Sequence, residues 1–133
     1  MDKPLILVVE DNNMLQRLIS LLAQKYGLDA DVVSNGCDAL AALENGRTYS
    51  LVLMDWLMPD MDGLECTQLI RAGEKMNGGH IPIVAMTANA DDSDRKKCLA
   101  TGMDDYMSKP FTQEQFREII ARWVLPTQHA RAN

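Results

Sequence analysis

The sequence predicts an α/β fold, a doubly wound parallel sheet in a single domain. Short apolar runs alternate with segments of helical period, the pattern that βα units leave in a chain. Three runs end in reactive side chains: Leu5 to Val9 in Glu10-Asp11, Leu51 to Met54 in Asp55, and Ile83 to Met86 in Thr87. Open α/β sheets place ligands at the carboxyl ends of their strands, so these positions are candidates for chemistry. With 133 residues, 47% of them hydrophobic, the chain is long enough to bury the core of one domain.

Leu5 to Val9 reads as a buried strand entered through Pro4, where a missing N–H is tolerated. Met14, Leu15, Leu18, Ile19 and Leu22 fall on one stripe of an amphipathic helix that Gly27 ends. Asp29 to Val33 alternates polar and apolar residues like an edge strand, and Asn35-Gly36 turns into an Ala/Leu-rich helix stopped by Asn45-Gly46. The Asp55 strand is followed by a Pro/Gly loop and a helix from about Gly63 to Ala72, with Cys66, Leu69 and Ile70 facing inward. Asn77-Gly78-Gly79 breaks the chain, and Pro82 stands at the start of the next strand. Asp91, Asp92 and Asp94 complement the dipole of the following helix, which Gly102 closes. A short strand, Asp105 to Met107, leads to Ser108-Lys109-Pro110. The last helix opens with the capping box Thr112-x-x-Gln115, turns Phe116, Ile119, Ile120 and Trp123 inward, and ends at Pro126. The domain spans 4–124, and 125–133 read as a polar tail, disordered or a linker.

A net charge of -6 with 13 dispersed basic residues argues against affinity for nucleic acid or anionic lipid. Cys37, Cys66 and Cys98 lack C-x-x-C spacing and a nearby histidine, so they read as buried, reduced thiols of a cytosolic protein. No run approaches the ~18 apolar residues of a spanning helix, so no membrane contact is expected. A cytoplasmic location is expected, including as the cytoplasmic part of a membrane-bound protein. His80 and His129 read as solvated and without partners.

In a doubly wound sheet, Glu10, Asp11, Asp55, Thr87 and Lys109 should converge on one rim. Carboxylates ~4 Å apart repel by several kcal/mol at an effective dielectric near 20, and a divalent cation relieves that repulsion. An all-oxygen ligand set suits Mg²⁺, while a Lys and a Thr supply the point charge and hydroxyl that a phosphoryl group needs. Asp55 is thereby a candidate nucleophile for phosphoryl transfer. Taken singly, Asp55 and Glu10-Asp11 read more simply as caps, Thr87 as a strand residue, Lys109 as a surface charge and Tyr106 as core; joint placement is what changes the odds.

The set Glu10-Asp11, Asp55 with Met58-Pro59-x-Met61-Asp62-Gly63, Thr87-Ala88 and Lys109-Pro110 resembles, over residues 4–124, the receiver domain of two-component response regulators. The resemblance implies a flavodoxin-like five-stranded sheet of order 2-1-3-4-5 with five helices. It implies that Asp55 accepts phosphate from a phosphohistidine on a histidine kinase or a histidine-containing phosphotransfer domain. Asp11, Asp55 and the backbone carbonyl of Leu57 would bind Mg²⁺, with Glu10 acting mostly through water. Thr87, the amide of Ala88 and Lys109 would hold the phosphoryl oxygens. Tyr106 would swing inward as Thr87 moves, passing the signal to the surface of the fourth helix, fifth strand and fifth helix, and a homodimer on phosphorylation is compatible with such a switch. The Lys109-Pro110 bond would be cis.

Val8-Val9-Glu10-Asp11-Asn12 and Met86-Thr87-Ala88-Asn89-Ala90 look similar to receivers within hybrid sensor histidine kinases, although Leu15 stands where many of these carry Asn. A free-standing single-domain regulator is the alternative reading, and a non-phosphorylated scaffold ranks behind it. A chain of this kind is no conventional enzyme, though it promotes its own phosphorylation and dephosphorylation. A haloacid-dehalogenase-type phosphatase would need an Asp where Leu57 stands. A flavin module would place a phosphate against Glu10-Asp11-Asn12-Asn13, which would repel it. Leu57 and Asn89 flank the expected path of the attacking water.

Overall fold

The computed structural model describes residues 3–56, 61–88 and 92–124. Strands and helices alternate as β1 (Leu5–Val9), α1 (Asn13–Lys25), β2 (Asp29–Val33), α2 (Gly36–Glu44), β3 (Leu51–Asp55), α3 (Gly63–Asn77), β4 (Ile83–Thr87), α4 (Asp92–Thr101), β5 (Asp105–Ser108) and α5 (Gln113–Trp123). The strands make one parallel sheet in the order β2-β1-β3-β4-β5. This is the expected flavodoxin-like arrangement.

The three inner strands are apolar on both faces because helices cover both faces. Alternate residues serve opposite cores. Ile6, Val8, Leu53 and Met86 pack under α1 and α5, whose Ile19 and Phe116 are fully buried. Leu7, Val9, Met54 and Ala85 pack under α2, α3 and α4, which contribute Ala39, Cys66 and Cys98. The edge strands β2 and β5 are only partly buried, as their mixed polar sequences require.

Register carries the side chains to one rim. Val9 lies opposite Met54, Asp55 opposite Met86, and Thr87 opposite Ser108. The residues that end or follow β1, β3, β4 and β5 therefore finish level with one another.

Each cap is local and chemical. Asn12 Oδ1 accepts from Leu15 N at 2.9 Å, so α1 is capped by Asn12, and Glu10-Asp11 are left for other work. Asn35 and Asp62 cap α2 and α3 in the same manner, and both bonds of the Thr112/Gln115 capping box are formed.

Several sequence expectations shift in phase. The buried arc of α1 runs through Ile19, Leu22 and Ala23 with Leu15 at its edge, whereas Met14 is 84% and Leu18 43% exposed. A helix turns ~100° per residue, so each of these two, one place before a buried-side residue, points to solvent. Helix α3 continues five residues past Ala72 to Asn77 and stops where Gly78 takes φ 86°, and Leu69 is 45% exposed rather than inward. Cys66 and Cys98 are buried thiols, but Cys37, in the first turn of α2, is exposed. His80 also has a partner: its Nε2 lies 2.8 Å from Asp104 Oδ1, beside the Arg71–Asp104 ion pair. Trp123 is half-buried, its indole N–H donating to Asp105 Oδ2 at 3.0 Å. Asp91, Pro126 and the tail 125–133 lie outside the described residues.

Gly63 sets the approach of α3 to the functional rim. Its N–H donates to Trp56 O at 2.8 Å, and a Cβ there would collide with the Asp55 carbonyl oxygen and sit 3.0 Å from Met54 Cγ. At Gly36 the obstacle is the flexible end of Met61, with Sδ 2.7 Å from the same hypothetical atom. Gly63→Ala should thus cost about 1–3 kcal/mol in urea denaturation, and Gly36→Ala distinctly less. Equal costs would contradict this packing argument.

Candidate functional site

At the carboxyl rim, a cleft of about 240 Å³ is walled by Glu10, Asp11, Asp55, Thr87, Ala88 and Lys109, among others. Glu10 is fully buried, and its amide and both carboxylate oxygens are held. Its N–H donates to Val33 O at 3.0 Å, its Oε2 accepts from Asn12 N at 2.9 Å, and its Oε1 is 2.7 Å from Lys109 Nζ. Asp55, the last residue of β3, is 5% exposed, with Oδ1 2.9 Å from the same ammonium. Lys109 is drawn over the cleft by its own backbone, whose N–H donates to Thr87 O at 2.7 Å, and its bond to Pro110 is cis.

Ligand oxygens of Glu10, Asp11 and Asp55 lie within 4.8 Å of one another. Three carboxylates thus face one ammonium, and like charges ~4 Å apart repel by about 4 kcal/mol at an effective dielectric of 20. Burial pushes the Asp55 carboxyl up to about 6; the Lys109 hydrogen bond opposes this, while the charges of Glu10 and Asp11 add to it. Burial works against the charge of Lys109 as well, but its bonds to Glu10 and Asp55 outweigh that and hold its pKa above the usual lysine value. The lysine stays an ammonium and leaves a net negative, oxygen-lined cleft. A hard divalent cation fits such a donor set.

The structure brings together Glu10, Asp11, Asp55, Thr87, Ala88 and Lys109, as the sequence led us to expect. Both carboxylate oxygens of Glu10 are engaged, Oε1 by Lys109 and Oε2 by the Asn12 N–H. Tyr106 lies on β5, half-buried, with the Arg95 guanidinium 5.4 Å from its ring centroid. Leu57, Met58, Pro59 and Asn89 lie outside the described residues. The sequence reading overlooked Asn12, Trp56 and Gln16. Gln16 donates its side-chain amide to Glu10 O, and a carboxamide at the half-buried margin of the helix that follows the acid pair is the signal that marks it.

The response regulator receiver domain model matches residues 6–121. The chain belongs to that family. Hybrid signal transduction histidine kinase I of Dictyostelium discoideum is 42% identical over 119 residues, a match that covers 86% of this chain and 7% of that protein. The sensor protein GacS of Pseudomonas syringae is 37% identical over 122 residues, covering 91% of this chain and 13% of that protein. The chain thus spans a small part of the curated relatives it matches.

Among solved structures, the receiver domain of sensor histidine kinase PA1611 from Pseudomonas aeruginosa superposes with a TM-score of 0.81 at 39% identity, covering 92% of this chain and 98% of that one. That domain holds a magnesium ion in its active site cleft. The receiver domain of the Saccharomyces cerevisiae response regulator Ssk1, crystallised with the histidine phosphotransfer protein Ypd1, gives 0.86 at 30% identity and covers 91% of this chain and 88% of that one.

The Asp55 carboxyl, at about 6 in the fold against 3.8 for a free group, binds its proton more tightly in the native state. Its ionisation therefore costs stability that is fully felt above about pH 6 and vanishes below about pH 4. In EDTA, Asp55→Asn should raise Tm by about 2–5 °C near neutral pH and lose that advantage by about pH 4. A pH-independent difference would contradict this origin.

Proposed function

We propose that this chain is the phosphoacceptor of a two-component phosphorelay, with Asp55 as nucleophile. The observation that carries the reading is the Asp55 carboxylate, 2.9 Å from Lys109 Nζ and grouped within 4.8 Å with the oxygens of Glu10 and Asp11. An Asp55 oxygen forms a bond to phosphorus as the P–N bond of a phosphohistidine breaks, leaving an acyl phosphate on Asp55 and the imidazole on the donor. Lys109 turns its ammonium from the carboxylate toward a phosphoryl oxygen, while the Thr87 hydroxyl and the Ala88 amide N–H donate to the others. Glu10, Asp11 and Asp55 would hold Mg²⁺, with the Leu57 carbonyl, and the ion would supply the positive charge that the cleft lacks. Thr87 and Tyr106 form the switch, passing occupancy of the cleft to α4, β5 and α5, the surface for a homodimer or an output partner.

The donor is a histidine kinase or a histidine-containing phosphotransfer domain. Met14, Leu18 and Leu21 are exposed in a row on α1, the helix that begins beside the acid cleft. Such an apolar row suits a helical partner that must bring its phosphohistidine to Asp55. The complex of Ssk1 with Ypd1 supports this class of partner, and likeness to hybrid kinases supports an origin within a hybrid sensor histidine kinase. The free thiols at Cys37, Cys66 and Cys98 suit a reducing, cytoplasmic location. Among the described residues, no helix is long and apolar enough to cross a membrane.

Bound at about a hundred times its Kd, Mg²⁺ should stabilise the protein by about 2.7 kcal/mol. It should do far less for Asp11→Ala, and equal stabilisation of the two in thermal melts would reject the metal site. Incubation with Mg²⁺ and acetyl phosphate should add one hydroxylamine-labile phosphate, detected by mass, that Asp55→Asn lacks. Undiminished labelling of the variant would move the nucleophile elsewhere, and no labelling of the parent would leave a binding scaffold.

A further inference from the structure

We propose that Gln16 is a positioning residue for the metal cleft: from α1 it holds the Glu10–Asp11 peptide and so sets where the Asp11 carboxylate stands. The inference rests on the metal reading above and adds a residue to it. Among the described residues no hydrogen bond reaches the exposed Asp11 carboxylate, so its place follows from its backbone. That backbone leaves β1 one residue beyond the last ladder pair, Val9 with Val33 and Met54. The Glu10 N–H is still tied to Val33 O at 3.0 Å. The Glu10 carbonyl is tied by Gln16, whose Nε2–H donates to it.

The carbonyl of Glu10 and the amide of Asp11 are one planar unit, so fixing the first orients the second. The same Gln16 nitrogen lies 3.3 Å from Ser34 Oγ, just past the end of β2, and Gln16 N–H donates to Asn12 O at 2.9 Å within the first turns of α1. One carboxamide therefore joins the ends of β1 and β2 to the helix that starts beside the cleft. Glu10 needs no such help, since its side chain is held by Asn12 N–H and Lys109. Asp11 does. Mg²⁺ tolerates little departure from octahedral geometry, and groups that orient metal ligands typically matter about 10–100-fold in affinity.

The test compares the whole chain with Gln16→Met, which keeps the volume and removes the donors, and with Gln16→Asn, which keeps an amide one methylene too short. Mg²⁺ affinity is read by calorimetry well below the metal-free Tm. Both variants should bind Mg²⁺ about tenfold more weakly. Ser34→Ala, which removes only the longer contact, should stay within about twofold of the parent. Tyr49→Phe, which loses a hydrogen bond to Asp31 before β3, controls for loss of stability alone and should leave Mg²⁺ affinity unchanged.

Gln16 variants that bind like the parent, or a Tyr49→Phe variant that weakens as much as they do, would overturn the proposal. A metal-free measurement separates it from the reading on which it rests. The Gln16 side-chain amide protons should exchange with water several-fold more slowly than those of an exposed glutamine in the parent without Mg²⁺. Slow exchange in a parent that binds no Mg²⁺ would refute the metal reading and leave the brace on the peptide standing; exchange at the exposed rate would refute the brace itself.

Discussion

Acidic side chains crowded at one rim of a parallel sheet stay ionised only where positive charge is brought to them. The fold creates that demand, because strands running in one direction deliver Glu10 and Asp55 to the same end, and the register of β1, β3 and β4 leaves them no room to diverge. It also supplies a partial answer in Lys109, which follows β5 and is anchored to the end of β4 through Thr87 O. The answer is incomplete by design of the charges: one ammonium faces three carboxylates. What remains is a demand for a cation.

The rim is stiff because both faces beneath it are packed. Alternate residues of β1, β3 and β4 enter two separate cores, and nearly every one is fully buried. Asp55 is additionally enclosed by Gly63, whose lack of a side chain lets α3 start against the strand end. A buried carboxylate in a stiff setting keeps its raised proton affinity, since relaxation and water would otherwise lower it. The edge strand β5 is packed less completely, with Tyr106 half-buried and the Arg95 guanidinium 5.4 Å from its ring centroid.

Much of this was legible in the amino-acid sequence because the signals were local. Apolar runs of four or five residues can be strands only if something covers both faces, and the acids that close two of them needed nothing but strand direction to be gathered. The capping box at Thr112 and the glycine stops were equally plain. What escaped the reading depended on phase and on contacts between distant segments. Met14 and Leu18 count toward an apolar stripe, yet the buried arc of α1 is set by how the helix sits on β1 and β2, a tertiary fact. His80 gains Asp104 from across the fold, 24 positions away in sequence. The brace from Gln16 to Glu10 spans only six positions, but it depends on how α1 turns against the end of β1, again a matter of phase.

The central claim is that Asp55, its acidic neighbours and Lys109 form one phosphoryl-binding centre. A crystal structure of the protein with Mg²⁺ and beryllofluoride, an acyl-phosphate mimic, tests it most directly. The account predicts beryllium bonded to an Asp55 carboxylate oxygen, Lys109 Nζ against a fluorine, and the cation shared by Asp11 and Asp55. An adduct on another carboxylate, or a cation bound away from these oxygens, would contradict it.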